Sequence, residues 1–166
     1  ILDAKPDPFL RAPPVQGFPY VSAAVGACDG SVWWGAGPAL FQWKDGALFS
    51  DYSKEYQSWL REDRIRALCE AREGGIWIGT QNGQLRLLRD KQFLAFTNAQ
   101  PAAPVTDLLE QPDGSLLIGT YGKGLLRLRD GKCSAAIKSS ELPSLFILAL
   151  YQDSAGVLWI GTEGAG

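Results

Sequence analysis

An all-β chain assembled from β-propeller blades is the fold this sequence predicts, and three observations predict it. A hydrophobic run closing on glycine returns four times, at spacings of 44, 40 and 42 residues. Short β-type segments stand at matched distances on both sides of each copy, and tight Gly- or Asp-containing turns separate them. Four short strands per period, joined by hairpin turns, are the pattern of one propeller blade.

The anchor run reads Ser31-Val32-Trp33-Trp34-Gly35-Ala36, then Gly75-Ile76-Trp77-Ile78-Gly79-Thr80. It returns as Ser115-Leu116-Leu117-Ile118-Gly119-Thr120 and as Val157-Leu158-Trp159-Ile160-Gly161-Thr162. An earlier glycine stands five positions before each anchor, at Gly30, Gly74, Gly114 and Gly156. Upstream lies a first strand: Val21–Ala24, Ile65–Leu68, Val105–Leu108 and Ile147–Leu150. Downstream comes a third strand, at Leu40–Trp43, Leu85–Leu88 and Leu125–Leu128. A charged turn follows each of these, and Asp-Gly within it favours a hairpin. The fourth strands are Ala47–Tyr52, Gln92–Thr97 and Lys132–Ile137. The chain thus divides into a Pro-rich irregular lead-in over 1–17 and blade repeats over 18–63, 64–104 and 105–144. A partial repeat covers 145–166, giving about three and a half blades.

One segment admits another reading. Residues 54–72 lack Gly and Pro, and place Tyr56, Trp59, Leu60 and Leu68 loosely on one helical face. Their second half aligns with the first strands of the other repeats, so strand is expected from Ile65. Ile76-Trp77-Ile78 and Leu116-Leu117-Ile118 do not alternate with polar residues, which implies burial on both sheet faces. Stacked blades provide that burial. Trp33, Trp77 and Trp159, with Leu117 as the departure, are expected to fill the space between blades. The anchors Gly35, Gly79, Gly119 and Gly161 are expected to permit a bulge or a close approach of a neighbouring chain.

Composition excludes much chemistry. A net charge of −2 gives no electrostatic reason to expect nucleic acid or an anionic membrane as partner. With no histidine, a Ser-His-Asp triad, a Cys-His dyad and His-ligated zinc are all excluded. There is no phosphate-binding P-loop and no EF-hand loop. Cys28, Cys69 and Cys133 lack metal or redox spacing and are expected as free thiols, with one disulfide open in an oxidising compartment. No stretch reaches the length of a membrane span. The carboxylate pairs Asp107/Glu110 and Glu70/Glu73 read as solvated or hairpin-edge groups. No cofactor, metal or catalytic residue is expected, and the chain reads as a binding module.

Asp113-Gly114-Ser115-Leu116-Leu117-Ile118-Gly119-Thr120 and Gly74-Gly75-Ile76-Trp77-Ile78-Gly79-Thr80 resemble the two-component regulator propeller repeat. The resemblance runs from Tyr20 to Gly166. Repeat one departs at Gly35-Ala36, and repeat two at Gly83-Gln84. It implies the extracytoplasmic sensor region of bacterial hybrid histidine kinases, diguanylate cyclases and related regulators, on the periplasmic or extracellular side. It also implies a parent propeller of about seven blades, so this chain is expected either to be a piece of one or to close its open faces with a second copy.

Topology narrows where a ligand would bind. Blade-to-blade connections and second-to-third strand turns share one face, and they are the longer and more varied loops here. Trp59, Arg61, Gln81, Asn82, Tyr121 and Lys123 are therefore the candidates for recognising a small molecule or glycan. Asp107 joins them, standing on an innermost strand where other repeats carry Ala23, Ala67 and Ala149. A carboxylate there is placed to meet a cation or polar ligand in a central channel. A protein-interaction scaffold is the second reading. A lyase or hydrolase propeller with its catalytic residues elsewhere is the third.

Overall fold

The computed structural model describes residues 20–45, 47–52, 63–96 and 99–164, with backbone alone at 48–51. Three four-stranded antiparallel sheets follow one another along the chain. The first holds β1 (Ala23–Gly26), β2 (Val32–Ala36), β3 (Ala39–Lys44) and β4 (Ala47–Asp51). The second holds β5 (Ile65–Glu70), β6 (Ile76–Thr80), β7 (Leu85–Arg89) and β8 (Gln92–Ala95). The third holds β9 (Val105–Glu110), β10 (Leu116–Thr120), β11 (Leu125–Arg129) and β12 (Lys132–Ala135). A two-stranded sheet, β13 (Ile147–Gln152) with β14 (Leu158–Thr162), opens a fourth blade. Strand begins at Ile65, so the strand reading prevails over the helical one there.

The first strands of the blades lie side by side, β1 against β5, β5 against β9 and β9 against β13. This is the geometry of propeller blades around an axis. The β3–β4 type hairpins are closed by two-residue turns in which both φ angles are positive: Asp90 (50°) with Lys91 (62°), and Asp130 (49°) with Gly131 (70°). That geometry matches the right-handed twist of the paired strands.

Burial on both faces has a simple origin. Side chains alternate along each second strand, one facing the blade before and the next facing the blade after. Trp33 packs with Leu40 and Tyr52 against Ile65, Leu68, Ile76, Ile78 and Leu88 of the second blade. Trp77 packs against Leu108, Leu116, Ile118, Leu126 and Leu128 of the third. Leu117 sits with Leu125 against Ile147 and Leu150 of the fourth. Trp159 occupies the same register on β14 but no described blade lies beside it, and it is 60% exposed.

The anchor glycines meet the entering strand of the next blade. A Cβ at Gly35 would stand 2.6 Å from Ile65 Cγ2, and one at Gly119 would stand 3.0 Å from Ile147 Cγ2. At Gly79 it would collide with Val105. The approach is thus by a β-branched side chain. At Gly161 the nearest atom is the Cβ of Ala149, at an ordinary 3.5 Å. The first strands also carry register shifts, between Ile65 and Ala67 and between Ile147 and Ala149, and β9 meets one at Gly119/Thr120. Such bulges bend a strand and raise its twist.

Candidate functional site

Loops converge on one face. The backbone N–H of Gln81 donates to Arg64 O (2.8 Å), that of Tyr121 to Pro104 O (2.9 Å), and that of Glu163 to Phe146 O (2.9 Å). Each bond ties a second-to-third strand turn to the connection entering its own blade. Tyr121 and Phe146 form an isolated antiparallel bridge, and their rings lie 4.5 Å apart between centroids. Both remain exposed, at 43% and 40%. Glu163 accepts the Tyr121 hydroxyl and so raises the phenol above its ordinary pKa. Lys123 is exposed on the same turn, its backbone N–H donating to Thr120 Oγ1 at 3.2 Å.

Gln81 and Asn82 occupy the equivalent turn one blade earlier. There the buried Asp63 carboxylate accepts the N–H groups of Arg64 (2.8 Å) and Asn82 (2.9 Å) through a single oxygen. Asp63 is 3% exposed, and its other oxygen has no hydrogen-bond partner among the described residues. Gln81 and Asn82 stand on the second blade and Tyr121 and Lys123 on the third, so the two pairs decorate one face from different blades. Trp59 and Arg61 lie outside the described residues.

Asp107 is placed between blades. Its Oδ1 accepts the Leu108 N–H at 2.8 Å and its Oδ2 the Leu150 N–H at 2.7 Å, linking β9 to β13. Burial raises its pKa, and these two amide bonds work in the opposite direction. Both oxygens therefore already hold donors.

The opposite face carries the β1–β2 type turns and the β3–β4 type hairpins. Lys44–Asp29 (2.8 Å), Arg89–Glu73 (3.4 Å) and Arg129–Asp113 (3.1 Å) join them at the same register in three blades. Glu70 and Glu110 are not simply solvated edge groups. Glu110 Oε2 accepts the Arg72 N–H (2.9 Å) and the Trp77 indole N–H (3.2 Å), and Glu70 Oε1 accepts the Cys28 N–H (2.8 Å). Each carboxylate, at the end of a first strand, clasps the turn of the preceding blade. Pro112 stands where Cys28 and Arg72 supply that N–H, and the facing residue is then Gln152. The paired departure, and the matched spacing Ile65–Glu70 and Val105–Glu110, are the sequence signals that would have revealed the clasp. Between the first two blades the same face holds a cavity of about 180 Å³ reached by Asp29, Ser31, Gln42 and Glu70. A cleft of about 500 Å³, lined by Cys28, Cys69, Glu70, Arg72 and Glu110, adjoins it. Cys28, Cys69 and Cys133 are free thiols. Among the described residues no set of three His, Cys, Asp or Glu is placed to hold a metal.

Residues 60–82 and 141–164 match the two component regulator propeller profile, each spanning the first and second strands of a blade. In those two stretches the chain is similar to the two component regulator propeller repeat. No curated protein matches the chain. Solved structures with similar folds include the extracellular domain of a hybrid two component system from B. thetaiotaomicron. It superposes at a TM-score of 0.69 with 23% identity, over 88% of this chain and 20% of that one. A second hybrid-system extracellular domain from the same organism gives 0.68 and 18% identity, over 90% and 22%. Virginiamycin B lyase from Staphylococcus aureus gives 0.72 and 14% identity, over 89% and 50%. At these identities the likeness establishes the propeller fold, which sensors and enzymes share. The chain spans about a fifth of the length of the extracellular domains it resembles. No helix among the described residues is long and apolar enough to cross a membrane.

Proposed function

We propose that this chain is part of the extracytoplasmic signal-input propeller of a bacterial membrane-bound regulator, and that it acts by binding a ligand, without catalysis. The observation that carries the reading is the exposed Tyr121–Phe146 ring pair, fixed by backbone bridging on the face where blade connections and turns meet. Rings held this way offer apolar area at little entropic cost, as ligand-contacting aromatics do. Lys123 beside them, and Gln81 and Asn82 one blade away, supply polar groups for orientation. The extracellular setting of the similar sensor domains supports the periplasmic or extracellular location. The chain's own blades complete a larger ring in the parent protein.

The test is a signalling reporter driven by the full-length regulator carrying Tyr121→Ala or Phe146→Ala. The response is expected to fall while the protein stays folded by circular dichroism. An unaltered response with both variants would refute the loop-face reading. Turnover of a candidate ligand by the purified propeller would instead support the lyase-like reading.

A further inference from the structure

Three of the first strands hold one residue more than the ladder beside them uses, and it falls at the same place each time. The β5–β6 ladder skips Arg66, the β9–β10 ladder skips Thr106, and the β13–β14 ladder skips Leu148. In a regular strand, residues two apart share a face. Here Ile65 packs in the core between the first and second blades, whereas Ala67 packs in the core between the second and third. Val105 likewise packs against the second blade, while Asp107 reaches Leu150 of the fourth. The bulged residue between them belongs to neither interface. One edge of each first strand is bonded to the second strand, so the direction left for that side chain is the axis around which the first strands lie side by side. Exposure agrees: Arg66 is exposed between the buried Ile65 and Ala67, and Leu148 is exposed beside the buried Ile147.

The charge that the bulges turn to the axis is therefore positive. Asp107, the residue expected there, faces the fourth blade, and of Arg66, Thr106 and Leu148 only Arg66 is ionised. Lys44, Arg89, Arg129 and Lys138 each have a carboxylate partner. Arg66 and Arg64 have none within ion-pair distance among the described residues, and both are exposed, in a chain whose net charge is −2. Arg64 marks the loop-face end of the axis, because its carbonyl holds the Gln81 N–H of the second-to-third strand turn. A guanidinium offers a planar fork of donors that matches a carboxylate, and protein walls around an axis focus its field. We propose that the loop-face end of the axis binds a small organic carboxylate, with the anion on Arg66 and Arg64 drawing it in. This rests on the loop-face reading for the place of binding and adds the ligand's chemistry.

Succinate is the probe, titrated into the ¹⁵N-labelled chain at constant ionic strength while the Arg66 Nε–H and the Thr106 backbone amide are followed. Saturable shifts at both, with a Kd of about 1 mM, are expected. Arg72, exposed on the opposite face, serves as an unmoved reference. Arg66→Leu installs the residue that the fourth blade carries at this bulge, so the fold should hold while the Thr106 response is lost. Arg64→Gln should weaken binding about fivefold. The proposal is overturned if nothing saturates by about 100 mM, or if Arg72 shifts in parallel with Arg66, which means charge screening only. It is equally overturned if neutral succinamide gives the same shifts, or if folded Arg66→Leu still binds. No succinate binding together with a reporter silenced by Tyr121→Ala would overturn this proposal and leave the loop-face reading standing. Succinate binding with the reporter unaltered by Tyr121→Ala and Phe146→Ala would do the reverse.

Discussion

Gly79→Ala tests how the blades are joined. The residue is not in the left-handed region, so alanine meets no backbone strain. Its new Cβ, however, would lie 2.8 Å from Val105 Cβ and 3.3 Å from Cγ2, and closer still to Cγ1. Val105 is fully buried at the start of β9, so it has no free volume to retreat into. Overpacking of this kind costs about 1–3 kcal/mol. Restricting the unfolded chain returns about 0.5–1 kcal/mol. The net loss is about 1–2 kcal/mol, which at an m-value of about 2 kcal/mol per M lowers the urea midpoint by about 0.5–1 M. Gly161→Ala is the internal control. The same methyl there finds ordinary contact with Ala149, so only the unfolded-state gain remains and stability should hold or rise. Urea titration followed by far-ultraviolet circular dichroism reads both. Equal destabilisation of the two variants, or none in Gly79→Ala, would refute the idea that the glycine makes room for the next blade. Adding Val105→Ala to Gly79→Ala should recover part of the loss, and a double-mutant cycle measures how much.

Further outcomes follow from the inter-blade bonds. Glu110→Ala leaves the Arg72 N–H and the Trp77 indole without an acceptor and should cost about 1–3 kcal/mol by urea titration, with Glu110→Gln losing less. Asp107 has its folded pKa raised, mainly by burial. Its contribution is therefore fully present below the ordinary carboxylate range and is lost as pH rises through the raised value. The urea midpoint of the wild type relative to Asp107→Asn should climb as pH is lowered from 7 to 3, and a slope of the other sign would show that the two amide bonds outweigh burial. Cys28 is the exposed thiol, and Glu70 holds its pKa up. A disulfide reagent should modify it before Cys69 or Cys133, and faster in Glu70→Gln.

The sequence by itself determined the period, the four strands of each blade and the double-sided burial of the second strands. These are local facts: hydrophobic spacing, and glycine or aspartate where a turn needs positive φ. The absence of histidine likewise removed whole classes of chemistry before any fold was known. What lies one blade away was not legible in that way. Glu110 meets Arg72 across 38 residues, Glu70 meets Cys28 across 42, and Asp107 meets Leu150 across 43. A repeat shows which positions are equivalent, but not which donor faces which acceptor. Asp107 shows the difference: the sequence placed a carboxylate on an innermost strand, and the packing of β9 on β13 decided that its oxygens hold backbone amides. Ser31 shows it again: only the folded blade places its hydroxyl to take the Trp33 indole N–H at 3.0 Å, whereas the equivalent Trp77 indole reaches Glu110 of the next blade.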